Sequence, residues 1–171
     1  MLTHEFTVAD GRAVTLRRAA AADQGAALQL LADLKLPSAG VAEWWAQFTV
    51  AEAGGAIVGM AGIENYGSGA LLRSVAVHPD WRSTGLGRML VLAVLDQAYA
   101  GGARDAYLLT TTAEHYFPRL GFTVIPRAAV PAAVQASVEF REACPASAVV
   151  MHRPLDSPGS TDSSPANRTA Q

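Results

Sequence analysis

The chain holds one cysteine, Cys144, and one lysine, Lys35, among 171 residues. A lone thiol closes no internal disulfide and supplies no metal cluster, so no metal centre is expected. With Lys35 as the only lysine, no Gly-Lys-Ser/Thr sequence exists to make a nucleotide-triphosphate loop. Charge of either sign is in short supply as well. Thirteen basic against fifteen acidic side chains leave a formal charge of −2, which gives no electrostatic case for nucleic acid or an anionic membrane as partner. The first ten residues carry no long apolar run either: His4, Glu5 and Asp10 interrupt short apolar pieces. That pattern is neither a secretion signal nor a spanning helix, so a cytoplasmic protein is expected.

What the chain does have is a series of short apolar elements separated by glycine turns, long enough for one domain with its own core. Ala13–Arg18 alternates like a strand, and Leu28, Leu31 and Leu34 form a helical stripe within 20–36 that Pro37 ends. Residues 41–45 read as a short second helix and 48–52 as a strand. Gly54-Gly55 turns the chain back into a strand at 57–64, and Gly67-Ser68-Gly69 turns it again into 71–77. Three antiparallel strands thus lead to a glycine loop and a long helix that stops at Gly101-Gly102. A strand at 106–110, a helix at 113–120 stopped by Gly121, and a strand at 122–125 follow. A helix through 131–140, opened by Pro131, and a last strand at 146–151 complete the order. From Asp156 onward Ser, Pro, Gly, Asn, Asp and Thr dominate without apolar period. The expected organisation is one domain over 1–155 and a disordered tail over 156–171.

The loop itself is the most informative segment. Arg82-Ser83-Thr84-Gly85-Leu86-Gly87-Arg88 follows a strand that ends Val77-His78-Pro79 and opens the apolar helix beginning Met89-Leu90-Val91. Two glycines let an anion approach the backbone amides, the helix N-terminus leaves those amides unpaired, and Arg82 adds a full charge. The segment reads as a device for holding a pyrophosphate. A dinucleotide fingerprint is excluded, because its third glycine would fall on Leu90. A purely structural strand-to-helix turn also favours glycine, so the loop alone does not decide.

Arg-x-x-Gly-x-Gly after a strand ending Val-His-Pro, set in this order of elements, resembles the acyl-CoA site of the GNAT acetyltransferases. The resemblance covers roughly residues 13–155. It implies an α/β (α+β) fold: a central mixed, mostly antiparallel sheet whose fourth and fifth strands splay, flanked by helices. The run from Leu108 to Phe117 with Arg119-Leu120-Gly121-Phe122 is similar to the acetyltransferase domain of N-acetylglutamate synthases. Glu139-Phe140 and Cys144-Pro145-Ala146-Ser147-Ala148 look still more like the arsenic-resistance GNAT subfamily of bacterial arsenic operons.

The resemblance implies acetyl-CoA as cosubstrate, with its pantetheine arm on the backbone of Ser74, Val75, Ala76 and Val77. The amide of Val75 would be the oxyanion donor. The pyrophosphate would lie on Arg82, Ser83, Thr84, Gly85, Leu86, Gly87 and Arg88, and Thr111, just after the strand at 106–110, would also contact the cofactor. The implied reaction acetylates the α-amino group of a small acidic, glutamate-like amino acid, an antimetabolite carrying arsenic or phosphorus in its distal group, and so confers resistance. Acetylation of a protein lysine or N-terminus, or a non-catalytic acyl-CoA sensor, are the alternatives. Homodimers are common among similar enzymes, which leaves self-association open.

The proton-handling residues depart from the pattern. Where many of these enzymes place a general-acid tyrosine, four residues before Gly121-Phe122, this chain has Phe117. Tyr116 is then the candidate acid, although a helix would rotate it by about a hundred degrees from that position. Glu64, at the end of the third strand (57–64), is the candidate base. Thr111-Thr112-Ala113-Glu114 reads as a capping box, which gives Glu114 a structural role. Arg73 stands inside an apolar central strand where a charge is rarely buried unpaired. It is the candidate clamp for an acidic acceptor. A buried pair with Glu64 or Glu43 is its structural alternative.

Overall fold

The computed structural model describes residues 3–143 and 146–156. The expected tail therefore lies outside the described residues except for Asp156, as does the Cys144-Pro145 pair. Eight strands form one sheet in the order β1-β2-β3-β4-β5-β6-β8-β7. They are β1 His4–Thr7, β2 Ala13–Arg18, β3 Phe48–Ala53, β4 Ala56–Tyr66, β5 Gly69–Val77, β6 Asp105–Thr110, β7 Thr123–Val124 and β8 Val149–Pro154. All neighbouring pairs are antiparallel except β5 and β6. β1 was not expected from the sequence, so the fourth and fifth strands of that reading are β5 and β6 here.

Helix α1 (Gln24–Asp33) and helix α2 (Leu86–Ala100) lie on opposite faces of the sheet. Ala27, Leu30 and Leu31 of α1 pack with Trp45, Phe48, Val50, Met60 and Ala76. Leu86, Leu90, Val91, Val94 and Leu95 of α2 pack with Ala51, Ala61, Ile63 and Leu72. Burial of each such side chain contributes about 1.5–3 kcal/mol, and together the two layers fix the sheet between them. Covered on both faces, β4 is buried continuously from Val58 to Glu64, which is why it reads as an apolar run instead of an alternation.

Two departures from regular pairing make room for a site. Between β4 and β5 the register steps from Met60 opposite Ala76 to Gly62 opposite Arg73, so Ser74 and Val75 face Ala61 alone in a bulge. Ser74 takes a φ of 53° to accommodate it. Then β5 and β6 pair only from Gly69–Leu71 to Asp105–Tyr107 and part beyond those residues.

Several expected elements are shorter or different. Residues 41–45 form turns leading into a 3-10 turn at Trp45–Gln47, not a helix. The expected helix at 113–120 is a loop and a 3-10 turn, Phe117–Leu120. Pro118 inside it cannot donate to a helical ladder. The expected helix at 131–140 breaks after α3 (Ala132–Gln135) and resumes as a π-turn, Glu139–Ala143. Ser137 supplies the reason: its Oγ accepts the Phe140 N–H at 3.3 Å and competes with the backbone. The last strand starts three residues later than expected, at Val149. No helix among the described residues is long and apolar enough to cross a membrane.

Candidate active site

The glycine loop is built by its own residues. His78 accepts the Asp80 N–H on Nδ1 at 3.1 Å and caps the 3-10 turn Pro79–Trp81. Thr84 donates its hydroxyl to the Trp81 carbonyl at 2.6 Å and accepts the Leu86 N–H at 3.4 Å. Its carbonyl also takes the Ala9 N–H at 3.2 Å. Ser83 and Gly85 adopt φ of 60° and 86°, which turns the chain sharply into α2. The first intrahelical bond of α2 joins Met89 N–H to Gly85 O at 3.1 Å. The amides of Gly87 and Arg88 precede it, so neither has a partner within the helix.

These amides open onto a cleft of about 1470 Å³. One wall is β5 from Leu72 to Val77 and the other is the chain from Leu108 to Ala113, so the cleft fills the gap where β5 and β6 part. Of the residues expected to hold the cofactor, Ser74, Val75, Ala76, Val77, Arg82, Ser83, Gly85, Leu86, Gly87, Arg88 and Thr111 all line it. Thr84 does not: it is buried and braces the loop from beneath. Ala76 and Leu86 have buried side chains, so only their backbone can serve a ligand.

Tyr116 lines the same cleft, half-buried, with its hydroxyl 2.7 Å from where a Cβ at Gly87 would stand. Burial raises its pKa, and Arg88 and Arg119 oppose that rise. Phe117 sits in the core with its ring edge-on to Phe122 at 5.8 Å. The capping box is not formed. Thr110, not Thr111, accepts the Thr112 and Ala113 amides on Oγ1, at 3.4 and 2.9 Å, and the exposed Glu114 lies 3.6 Å from the exposed His115.

Beside the bulge stands Glu64, the candidate base. Its carboxylate is fully buried and is not part of the cleft wall. Oε2 accepts Arg73 Nη1 at 2.9 Å and Oε1 accepts the Tyr66 hydroxyl at 2.5 Å, so both oxygens are engaged. Burial first and Glu64 second push the Tyr66 phenol well above its ordinary range, which keeps it a donor. Arg73 forms the structural alternative named for it. Besides Glu64, its Nη2 donates to the Ala39 carbonyl at 2.6 Å and its Nε to Ser74 Oγ at 3.1 Å. The guanidinium is closed off from solvent although the residue borders the cleft. Glu43 has no bond to it; the Glu43 carboxylate lies instead near Gly40, whose backbone covers the guanidinium.

A second carboxylate, unassigned from the sequence, completes this cluster. Glu139 Oε1 lies 3.6 Å from Arg73 Nη2, and Glu139 lines the cleft while nearly buried. Burial pushes its carboxyl up to about 7, with Arg73 pulling down and Glu64 pushing further up. The available sequence signal was an acidic residue amid the apolar positions of 130–140.

Residues 44–124 match the model of the acetyltransferase (GNAT) domain. Among curated proteins, the amino-acid acetyltransferase of Serratia proteamaculans is 40% identical over 67 residues, 39% of this chain and 15% of that protein. That of Yersinia enterocolitica is 47% identical over 49 residues, 29% of this chain and 11% of the relative. The chain thus spans only a small part of the length of these relatives. Among solved structures, N-acetylglutamate synthase from Neisseria gonorrhoeae, complexed with coenzyme A and N-acetyl-glutamate, superposes with a TM-score of 0.73 at 18% identity. It covers 84% of this chain and 35% of that one. A GNAT-family acetyltransferase from Staphylococcus aureus gives 0.70 at 14% identity, over 84% of this chain and 99% of that one. With its bulged and parting strands and its glycine loop, the chain has the GNAT fold of these structures, and residues 44–124 are similar to the GNAT acetyltransferase domain.

Proposed function

We propose that this protein transfers the acetyl group of acetyl-CoA to the α-amino group of a small amino acid. What carries the reading is one continuous cleft that joins the first amides of α2, unpaired within the helix, to the opened gap between β5 and β6. A pyrophosphate on Gly87 and Arg88 leaves the pantetheine arm to run along the backbone of Val77 to Ser74. The thioester then reaches the bulge, where the Val75 amide can take the oxyanion. Tyr116, the half-buried hydroxyl on this path, is the group able to return a proton to the departing thiolate. The likeness to amino-acid acetyltransferases supports an amino-acid acceptor. The finer reading, an acidic acceptor of glutamate type with arsenic or phosphorus in its distal group, rests on the resemblance of 139–148 to the arsenic-resistance subfamily.

The test is thiol release from acetyl-CoA with a panel of amino acids, including glutamate, its phosphorus- and arsenic-bearing analogues, neutral amino acids and a lysine peptide. Turnover on glutamate-like acceptors is expected. Gly87→Val, which places a side chain where the pyrophosphate meets the amides, should weaken acetyl-CoA binding at least tenfold by calorimetry while the protein stays folded. A folded protein that binds acetyl-CoA and acetylates no amino acid would overturn the enzymatic reading in favour of a sensor.

A further inference from the structure

The cluster beside the bulge has more negative charge than it needs. Arg73 is already neutralised by Glu64 at 2.9 Å. Tyr66 satisfies the remaining Glu64 oxygen, and Ala39 and Ser74 take two further guanidinium donors. Glu139 is therefore a second carboxylate on a guanidinium that is already matched, at 3.6 Å instead of hydrogen-bonding distance. No hydrogen bond from another part of the described chain reaches its carboxylate among those that hold the cluster. The groups facing it are Arg73 from β5 and Glu64 from β4; on its own turn Arg141 and Glu142 are exposed. With Glu139 ionised, the three charged groups sum to one net negative charge, and a cation entering the cleft would restore neutrality.

Position adds to charge. Arg73 Nε bonds the side chain of Ser74, the bulge residue, and Arg73 Nη2 faces Glu139, so the carboxylate stands one guanidinium away from the place where the thioester would lie. Unlike Glu64, Glu139 is part of the cleft wall. It also lies beyond residues 44–124, where the family match ends.

We propose that Glu139 binds the acceptor's ammonium group and takes its proton. The acceptor enters as R–NH3⁺ and pairs with the ionised carboxylate. One N–H bond breaks and the proton passes to Glu139 Oε, leaving a neutral amine. Its lone pair forms the N–C bond to the thioester carbonyl, the C–S bond breaks, and the electron pair leaves on the CoA sulfur, which is then protonated. The second amine proton, lost as the amide forms, goes to solvent. A carboxyl that titrates near neutrality is suited to this task, because it accepts a proton from an amine without an insurmountable uphill step and releases it at working pH. The inference rests on the acetyl-transfer reading given above.

The deciding measurement is kcat/KM for an amino-acid acceptor as a function of pH, in the wild type, Glu139→Gln and Glu139→Asp, with acetyl-CoA affinity measured by calorimetry in each. Glu139→Gln should lose about a hundredfold at neutral pH, and the loss should shrink as rising pH deprotonates the amine unaided. Glu139→Asp should recover part of the activity, and acetyl-CoA affinity should hold in both. In the wild type, a carboxylate-type acid limb that hardly moves with temperature is expected, which needs no variant to fold. A Glu139→Gln profile parallel to the wild type, or an acid limb with the temperature dependence of an amine, would overturn the role of Glu139 alone. Absence of acetylation in the wild type with every amino acid would overturn the acetyl-transfer reading and this inference with it.

Discussion

A guanidinium taken out of water in the middle of a sheet costs several kcal/mol unless its donors are matched. Arg73 meets that condition through Glu64, Ala39 and Ser74, and in doing so it ties the loop before β3 to the central strands. Replacing it by leucine leaves Glu64 as a buried, uncompensated carboxylate. Arg73→Leu should therefore lower stability by about 3–5 kcal/mol, and adding Glu64→Leu should restore part of the loss. Thermal unfolding of both variants checks this. A single variant that melts like the wild type and loses only its acidic acceptors would make Arg73 a substrate clamp. The conflict at Arg73 was legible in the sequence, because a charge stood in an apolar central strand. Its partner was narrowed to Glu64 or Glu43, but the choice between them was not legible. Glu64 is two residues along β4 from Gly62, the register partner of Arg73, and that diagonal relation depends on the bulge at Ser74-Val75.

Among the elements, the glycine loop and the strands around it could be read in advance, because glycine turns and apolar runs are local signals. The segments that were misjudged are those where a side chain competes with the backbone. Thr110 caps the chain at 112–113, Pro118 interrupts the next turn, and Ser137 captures the Phe140 amide. That last break matters for the role proposed for Glu139, since it sets Glu139 on a π-turn that borders the cleft instead of on a regular helix. Close packing between elements is equally invisible to a pattern. Gly62 of β4 lies opposite Phe48 of β3, and the Phe48 ring occupies the space a Gly62 side chain would need. Phe48 is itself fully buried under α1, with little room to move. Gly62→Ala should destabilise the protein by about 1–3 kcal/mol through overpacking, seen as an earlier midpoint in denaturant at unchanged slope. An unchanged midpoint would mean that the ring relaxes without cost.

At the scale of the whole molecule, two kinds of titrating group pull stability in opposite directions. Asp23 is held below its ordinary value chiefly by the hydrogen bonds from Arg17, at 2.6 and 3.0 Å. Its contribution is present above the unfolded carboxyl value and is lost as pH falls through the folded one. Glu139 behaves in the other sense. Its carboxyl moves from 4.5 up to about 7 because burial disfavours the charge. The folded state therefore holds a proton that the unfolded state has already released, and stability declines as pH rises between those two values. The decline is on the order of 3 kcal/mol at most, which is several degrees in melting temperature for a domain of this size. The wild type should accordingly melt highest in mildly acidic solution and lose several degrees towards neutrality. Glu139→Gln carries no charge to bury, so its melting temperature should stay flatter over that interval and exceed the wild type at higher pH. Parallel melting curves for the two proteins across the interval would show that the Glu139 carboxyl titrates as it does in water. A flattened curve together with the lost acid limb in kcat/KM would assign both effects to the same proton.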